Sequence, residues 1–446
     1  AKFPEYKGLN LPNVAKEMLE YWAENNIFEK SVTTREGNKP FVFFEGPPSA
    51  NGLPGVHHVL ARAIKDIFPR YKTMKGFQVK RKAGWDTHGL PIELGVEKEL
   101  GITKEDIGNT ISVEEYNAAC RKAVMRYTDI WNDLTQKMGY WVNMDDPYVT
   151  YEPKYMESVW WLLKQIYEKN LMYKGYTIQP YSPKAGTGLS SHELNQPGTY
   201  QDVTDTTVVA QFKAINETLP NFLQNEGELY FLAWTTTPWT LPSNTALTVG
   251  PKIEYVLVNT FNQYTFEPTK VVLAKKLVTK QFGGKNNIQV EHLEKLKEYN
   301  PGDKKIPFYI IKEFVGKDLV GIKYEQLLPY VLPNDNPQDA FRVISGDFVT
   351  TEDGTGIVHT SPTFGADDAL VAKQAKPEIP PMLIKDENDN LVPLVDLQGK
   401  FVKELGEFGG KYVKNEYYKD GEAPEKSIDV ELAIKLKEEN KAFKVE

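Results

Sequence analysis

Two blocks near the start of the chain constrain its fold more than any other feature. In the first, the apolar run Phe41-Val42-Phe43-Phe44 breaks into Glu45-Gly46-Pro47-Pro48-Ser49-Ala50-Asn51-Gly52-Leu53-Pro54-Gly55-Val56-His57-His58. A helical pattern follows from about residue 56 to 72. In the second, a strand-like run over residues 77–83 ends in Gly84-Trp85-Asp86-Thr87-His88-Gly89-Leu90-Pro91. A short apolar run without alternation predicts a buried strand of a parallel sheet. A strand, a Gly/Pro loop and two histidines at a helix start predict a phosphate site. The first N–H groups of a helix lack intrahelical partners, and the dipole adds partial positive charge there. Asp86 falls at the carboxyl end of the second strand, where open α/β sheets bind ligands.

The rest of the chain divides by texture. Residues 12–30 place Val14, Met18, Leu19, Trp22 and Ile27 near one face of a helix. Residues 112–175 are expected to be mostly helical, with one helical stretch over about 113–138 and with Trp131, Trp141, Trp160 and Trp161 in the core. From about residue 180, alternating and β-branched runs cover 206–212, 228–234, 255–259, 271–274 and 341–351. Turn residues such as Gly283-Gly284 and Asn300-Pro301-Gly302-Asp303 separate them, predicting a β-rich domain inserted into the α/β one. A Lys/Glu helix is expected over 430–441.

Composition removes several function classes. No apolar run approaches the roughly 20 residues needed to cross a bilayer. Ala1-Lys2-Phe3-Pro4-Glu5 opens no signal-peptide apolar region, so a cytoplasmic location is expected. The single cysteine, Cys120, excludes an intrachain disulfide framework and a cysteine-cluster zinc site. No Gly-x-Gly-x-x-Gly follows a strand with an acid about 20 residues on, which argues against a nicotinamide-dependent oxidoreductase. The net charge of −8 argues against a general nucleic-acid coat. Between residues 60 and 82, however, eight Lys/Arg residues accompany one acid, Asp66. That stretch either attracts a phosphate-bearing ligand or is a solvated helix face.

The two blocks together resemble the class I aminoacyl-tRNA synthetases, in their isoleucyl branch, whose second block has the form Gly-Trp-Asp-x-His-Gly-Leu-Pro-Ile-Glu found at residues 84–93. Two later stretches extend the resemblance. Trp234-Thr235-Thr236-Thr237-Pro238-Trp239-Thr240-Leu241-Pro242-Ser243-Asn244 is similar to the threonine-rich peptide of that branch's editing domain. Gly354-Thr355-Gly356-Ile357-Val358-His359 through Asp367-Asp368 is similar to its second active-site strand and loop. The implied fold is α/β: the first half of a Rossmann-like nucleotide-binding domain with an inserted β-rich editing domain. The expected boundaries are 1–180 for the amino-terminal helix and first catalytic half, 181–395 for the insertion, and 396–446 leading back toward a second catalytic half.

The resemblance implies ATP with its Mg²⁺, L-isoleucine and tRNA(Ile) as partners of a monomeric ligase, with no membrane partner, no protein metal site and no zinc here. It assigns His58 and His57 to the phosphates and Gly55 to the nucleotide. Gly46 and Asp86 hold the substrate ammonium, and Pro47 lines the side-chain pocket. In the editing domain, Thr235, Thr236, Thr237 and Thr240 offer hydroxyls for water positioning and the 3′-terminal adenosine, and Asn244 closes the motif. Trp239 and His359 shape a pocket that admits valine and excludes isoleucine, while Asp368 anchors the α-ammonium. Isoleucine and valine differ by one methylene, worth about 1–3 kcal/mol in a hydrophobic pocket, an argument for which the isoleucyl enzymes are the standard instance. A second, hydrolytic site supplies the missing discrimination.

Three departures from the family pattern stand out. The family signature His-x-Gly-His is replaced by Gly55-Val56-His57-His58, so His58 keeps its place and His57 occupies that of the glycine. An altered but working signature is expected. The loop before the paired aspartates reads Thr363-Phe364-Gly365 where a glycine and a histidine are usual. No Lys-Met-Ser-Lys-Ser loop and no helical anticodon-binding domain are visible. Lys72-Thr73-Met74-Lys75 lies only 14 residues past His58 and reads as a solvated helix end. An amino-terminal fragment is therefore expected, and the competing expectation is a stand-alone editing hydrolase or a tRNA-binding fragment without catalysis.

Overall fold

The computed structural model describes residue 5, residues 8–175 and residues 177–446. Residues 1–4, part of the segment that opens no signal-peptide apolar region, lie outside the described residues. The chain separates into two compact units, residues 1–175 and 176–446. Among the described residues, no helix is long and apolar enough to cross a membrane.

In the first unit, β1 (Pro40–Phe44), β2 (Gln78–Trp85) and β3 (Asn143–Val149) pair in that order, all parallel. Phe44 stands opposite Lys82, and Trp85 opposite Val149. The helices are α1 (Leu11–Glu24), α2 (Ile27–Thr33), α3 (Val56–Met74), α4 (Leu90–Leu100), α5 (Val113–Val124), α6 (Thr128–Lys137) and α7 (Pro153–Glu168). The helix α3 forms the crossover that the parallel pairing of β1 and β2 requires. Gly84 allows a close approach: a Cβ there would lie 2.4 Å from the Tyr148 ring.

Several expectations need correction. The helix expected over 12–30 is two, α1 and α2, because Asn26 adopts the left-handed conformation (φ 48°) that Asn tolerates better than most residues. The stretch 113–138 is also two helices, since the Tyr127 N–H leaves the helical ladder to donate to Ala50 O at 3.0 Å. The strand β1 is not buried: Val42 and Phe44 are 57% and 61% exposed. Of the tryptophans assigned to the core, Trp131 is there at 1% exposure, while Trp160 and Trp161 on α7 are more than half exposed. Sequence pattern identifies an apolar face; it does not say whether anything covers it.

The second unit opens with a small hairpin, β4 (Tyr181–Ser182) and β5 (Thr187–Gly188), and the short α8 (Ser191–Leu194). Its body is a ten-stranded mixed sheet. Through the middle of the chain the strands are β6 (Val208–Lys213), β7 (Tyr230–Thr235), β8 (Ala246–Val249), β9 (Glu254–Phe261), β10 (Pro268–Ala274), β11 (Asn287–Gln289), β12 (Ile306–Val315), β13 (Arg342–Ser345) and β14 (Ile357–Thr360). A second hairpin, β15 (Leu383–Lys385) with β16 (Leu391–Pro393), precedes the last strand, β17 (Ala442–Val445). The order is β11-β12-β9-β10-β7-β14-β8-β13, with β6 also on β7 and β17 on β6. The helices are α9 (Val278–Phe282), α10 (Ala366–Gln374) and α11 (Ile428–Glu438). The β-run read over 341–351 contributes only its first residues, as β13.

One apolar core joins the strands to α11. Phe212, Leu241, Leu247, Leu257, Leu432 and Leu436 all belong to it and are essentially inaccessible. Burying each of those leucines is worth about 1.5–3 kcal/mol. The residues after 396 are thus integral to this unit, through α11 and the pairing of β17 with β6.

Candidate active site

In the first unit, the loop between β1 and α3 carries Gly46, Pro47 and Gly55, while Asp86 follows β2 directly. Parallel pairing therefore brings both blocks to the same carboxyl edge. Three hydrogen bonds hold the loop: Asp86 N–H to Pro48 O (3.1 Å), Tyr127 N–H to Ala50 O (3.0 Å) and Trp131 Nε1–H to Gly52 O (2.9 Å). At its start, the buried Glu45 carboxylate takes Lys65 Nζ at 2.6 Å and the Tyr140 hydroxyl. Lys65 also donates to Gly46 O at 3.3 Å, and the Tyr148 hydroxyl donates to Glu45 O. The Asp86 carboxylate accepts from His88 N–H at 3.4 Å, and His88 Nδ1 lies 3.0 Å from Thr150 Oγ1.

The altered signature has a definite geometry. Gly55 is the residue preceding α3, and its N–H donates to His58 Nδ1 at 2.9 Å. That bond makes Nδ1 the acceptor, so in the neutral ring the proton sits on Nε2, available to an anion. The His58 pKa is held below its ordinary value by burial first, then by His57, Arg62 and Lys65. The His57 ring lies 3.8 Å from that of His58, and the Trp131 ring meets His58 edge-on at 4.8 Å. A Cβ on Gly55 would stand 2.7 Å from His57 Cε1, so the imidazole fills the space a side chain at position 55 would enter.

The basic stretch is largely spent internally. Arg62 and Arg81 are buried and donate to Thr135 Oγ1 and Thr73 Oγ1, each at 2.6 Å. Lys65 pairs with Glu45, Arg70 with Asp66 and Lys82 with Asp146. Five of the eight cations thus build the fold, which answers most of the choice between a ligand-attracting face and a solvated one with a third role.

In the second unit, the threonine peptide leaves the end of β7 and runs into a 3₁₀ turn, Pro238–Ser243. The strand β14 pairs there, Val358 opposite Trp234, and brings His359 beside the peptide. A directed chain of hydrogen bonds results. The Tyr324 hydroxyl donates to Asn244 Oδ1 (2.6 Å) and Asn244 Nδ2 to His359 Nδ1 (2.8 Å). His359 Nε2 lies 3.0 Å from Thr240 Oγ1, which donates to Thr237 O at 2.8 Å. Both imidazole nitrogens are thus used, and burial pulls the His359 pKa down to about 4. The ring is neutral near pH 7 and acts as a strut between Asn244 and Thr240. Thr235 Oγ1 accepts from Thr237 N–H at 3.0 Å, and Thr236 is exposed.

The loop after β14 completes the site. The Trp239 ring meets Phe364 edge-on at 5.0 Å, joining the turn to the segment 361–365. Asp368, in the first turn of α10, accepts from Ser361 N–H at 2.8 Å. Burial, and secondarily the charge of Asp367, push its pKa up to about 6 against that one hydrogen bond. A half-buried carboxylate with a single donor is an incomplete site for a cation. Cys120, in the first unit, has its thiol pKa raised by burial, as suits an unreactive residue. Sequence reasoning missed Tyr324, Ser361 and Asp429, whose Oδ1 accepts the Trp239 N–H at 2.8 Å. Ser361 lies inside the stretch 354–368 without having been singled out there, whereas Tyr324 and Asp429 lie outside every motif quoted above.

A family model described as tRNA synthetases class I (I, L, M and V) matches residues 17–374. The chain is 60% identical over its whole length to the isoleucine–tRNA ligase of Bacteroides fragilis, and 61% identical over 99% of it to that of Cytophaga hutchinsonii. It spans 39% of the length of each. Among solved structures, the editing domain of the P. knowlesi cytosolic leucyl-tRNA synthetase aligns with 40% of this chain and 65% of its own, at 13% identity and a TM-score of 0.28. That likeness is too low to build on.

Proposed function

The chain belongs to the class I tRNA synthetases, and we propose that it supplies the first catalytic half and the editing domain of an isoleucine–tRNA ligase. The whole ligase reaction is proposed for a protein of the relatives' length: ATP and isoleucine give isoleucyl-adenylate and pyrophosphate, and the acyl group then passes to tRNA(Ile). The observation that carries the reading is the convergence of Gly46, His58 and Asp86 on one carboxyl edge of the parallel sheet, in a chain so similar to its named relatives.

In the synthetic site the substrate carboxylate attacks the α-phosphorus, so the protein's work is to position reactants and stabilise phosphate charge. Gly46 O and the Asp86 carboxylate receive the ammonium, and Pro47 lines the side-chain pocket. His58 donates through Nε2 to a phosphate oxygen, with the tilted His57 ring beside it and the Gly55 backbone facing the nucleotide. Mg²⁺ enters as part of the nucleotide substrate, held mainly by phosphates and water. We assign residues 1–175 to the catalytic half and residues 176–446 to the editing domain.

In the editing domain Asp368 anchors the α-ammonium of a valyl ester, and Trp239 bounds the side-chain pocket. Threonine hydroxyls hold the water that attacks the ester carbonyl, releasing valine and restoring the free 3′-hydroxyl. No nucleophilic side chain with an adjacent base is needed. The test is hydrolysis of Val-tRNA(Ile) and Ile-tRNA(Ile) by this chain, with Asp368→Ala as control. Loss of valine only, abolished by the substitution, is expected. A folded chain that hydrolyses neither ester overturns the editing assignment. ATP–pyrophosphate exchange by this chain alone would contradict the proposal that the remaining length of the relatives completes the synthetic site.

A further inference from the structure

The 3₁₀ turn Pro238–Ser243 poses a local question with a distant answer. At a helical start the first N–H groups have no partners within the turn. A threonine in the capping position normally turns its hydroxyl onto the N–H of the second or third residue. Thr237 holds that position, but its side chain makes no capping bond. Its Oγ1 has only long hydroxyl contacts, 3.3 Å to Thr235 and 3.4 Å to Thr240. The N–H it would cap, that of Trp239, donates instead to Asp429 Oδ1 at 2.8 Å.

Asp429 is built for this position. It lies in the first turn of α11, fully buried, and its second oxygen takes Lys414 Nζ at 2.7 Å. Lys414 also pairs with Asp205. The helix cannot shift easily, because Leu432 and Leu436 pack in the same core as Leu241 of the turn. Stability alone is a weak reason to keep such a pair, since a buried ion pair adds little over apolar packing of similar volume. Meanwhile Thr235 is committed to the Thr237 N–H, and Thr240 to Thr237 O and His359. Among the buried or half-buried threonines of the peptide, Thr237 has the hydroxyl that local structure leaves least engaged.

We infer that Asp429 is a positioning residue of the editing site: it caps the turn from α11 and so keeps the Thr237 hydroxyl free for the ester substrate and its water. This rests on the editing assignment above. Without Asp429, the Trp239 N–H falls to the ordinary cap of such a turn, Thr237 Oγ1, and the hydroxyl is drawn into it.

The test is a double-mutant cycle in the whole chain, read as kcat/KM for Val-tRNA(Ile) hydrolysis. Asp429→Ala should lower it on the order of tenfold, the worth of one hydrogen bond. Thr237→Ala should lower it as well. The double variant should be no worse than Thr237→Ala, because the hydroxyl that Asp429 spares is already gone. Asp429→Asn keeps an acceptor oxygen and should retain most of the rate, which a purely electrostatic role would not allow. Losses that multiply in the double variant, or an Asp429→Ala chain as active as the wild type, overturn the inference. If Asp429→Ala fails to fold, Asp429→Leu with Lys414→Met replaces the pair by apolar groups and serves the same cycle. A wild-type chain without hydrolysis would instead overturn the editing assignment, and this inference with it.

Discussion

Asp368 offers the sharpest test, because its energetic cost to the fold and its use to the site have opposite signs. Moving a carboxyl pKa from 3.8 to about 6 is roughly two decades of proton affinity, or about 3 kcal/mol at about 1.36 kcal/mol per decade. Solvent near a half-buried group makes this an upper bound. The folded pKa is raised, so the stabilising contribution is complete below the unfolded pKa near 3.8 and is lost as pH rises through 6. Asp368→Asn should therefore be more stable than the wild type at pH 7, by up to about 3 kcal/mol, and nearly equal to it at pH 4. Activity should respond the other way. An ammonium ligand needs the carboxylate, so kcat/KM for Val-tRNA(Ile) hydrolysis should fall about tenfold per pH unit below pH 6. Urea denaturation at the two pH values measures the first effect. Initial rates from pH 5 to 8, corrected for spontaneous ester hydrolysis, measure the second. A flat acid limb, or an Asn variant destabilised equally at both pH values, would refute the reasoning.

Three further outcomes follow from the geometry. Lys65→Met leaves the buried Glu45 carboxylate without its cation and should cost about 3 kcal/mol in urea denaturation, most of it recovered when Glu45→Gln is added. Tyr324→Phe removes the donor from buried Asn244 Oδ1 and should cost about 1–3 kcal/mol, with faster amide exchange in β14. His57→Gln should raise the His58 pKa in an NMR titration without bringing it to 6.5, because burial is the larger cause of its depression.

What could be read from the sequence was what short-range pattern controls. The run into Gly46 and the periodicity after Gly55 dictate a strand, a loop and a helix, and parallel pairing then puts Asp86 on the same edge. What could not be read depends on partners distant along the chain. The exposure of Phe44 and Trp160 depends on what lies against them, and the residue pattern is the same whether the face is covered or bare. The satisfied state of His359 depends on Tyr324 and Asn244, which become its neighbours only when β14 pairs with β7 and β8. Asp429 is the extreme case, since an acid in the first turn of a Lys/Glu helix is ordinary on dipole grounds and gives no hint of Trp239.

The two candidate sites share one physical sign. At each, the residue in the capping position of a helical segment does not cap it. Gly55 has no side chain to do so, and the ring of His58 instead receives the Gly55 N–H through Nδ1, which leaves Nε2 for an anion. Thr237 has the right side chain but is relieved by Asp429. At Thr237 a local rule is broken and the bond it would have made is supplied by Asp429, so that a hydroxyl near the site stays uncommitted; at Gly55 the bond to His58 fixes the imidazole and leaves Nε2 uncommitted. Local rules broken with compensation are expected where function competes with folding. Thr237 is thus the residue that does not do its ordinary structural work here, and Asp429, far along the chain, does that work in its place.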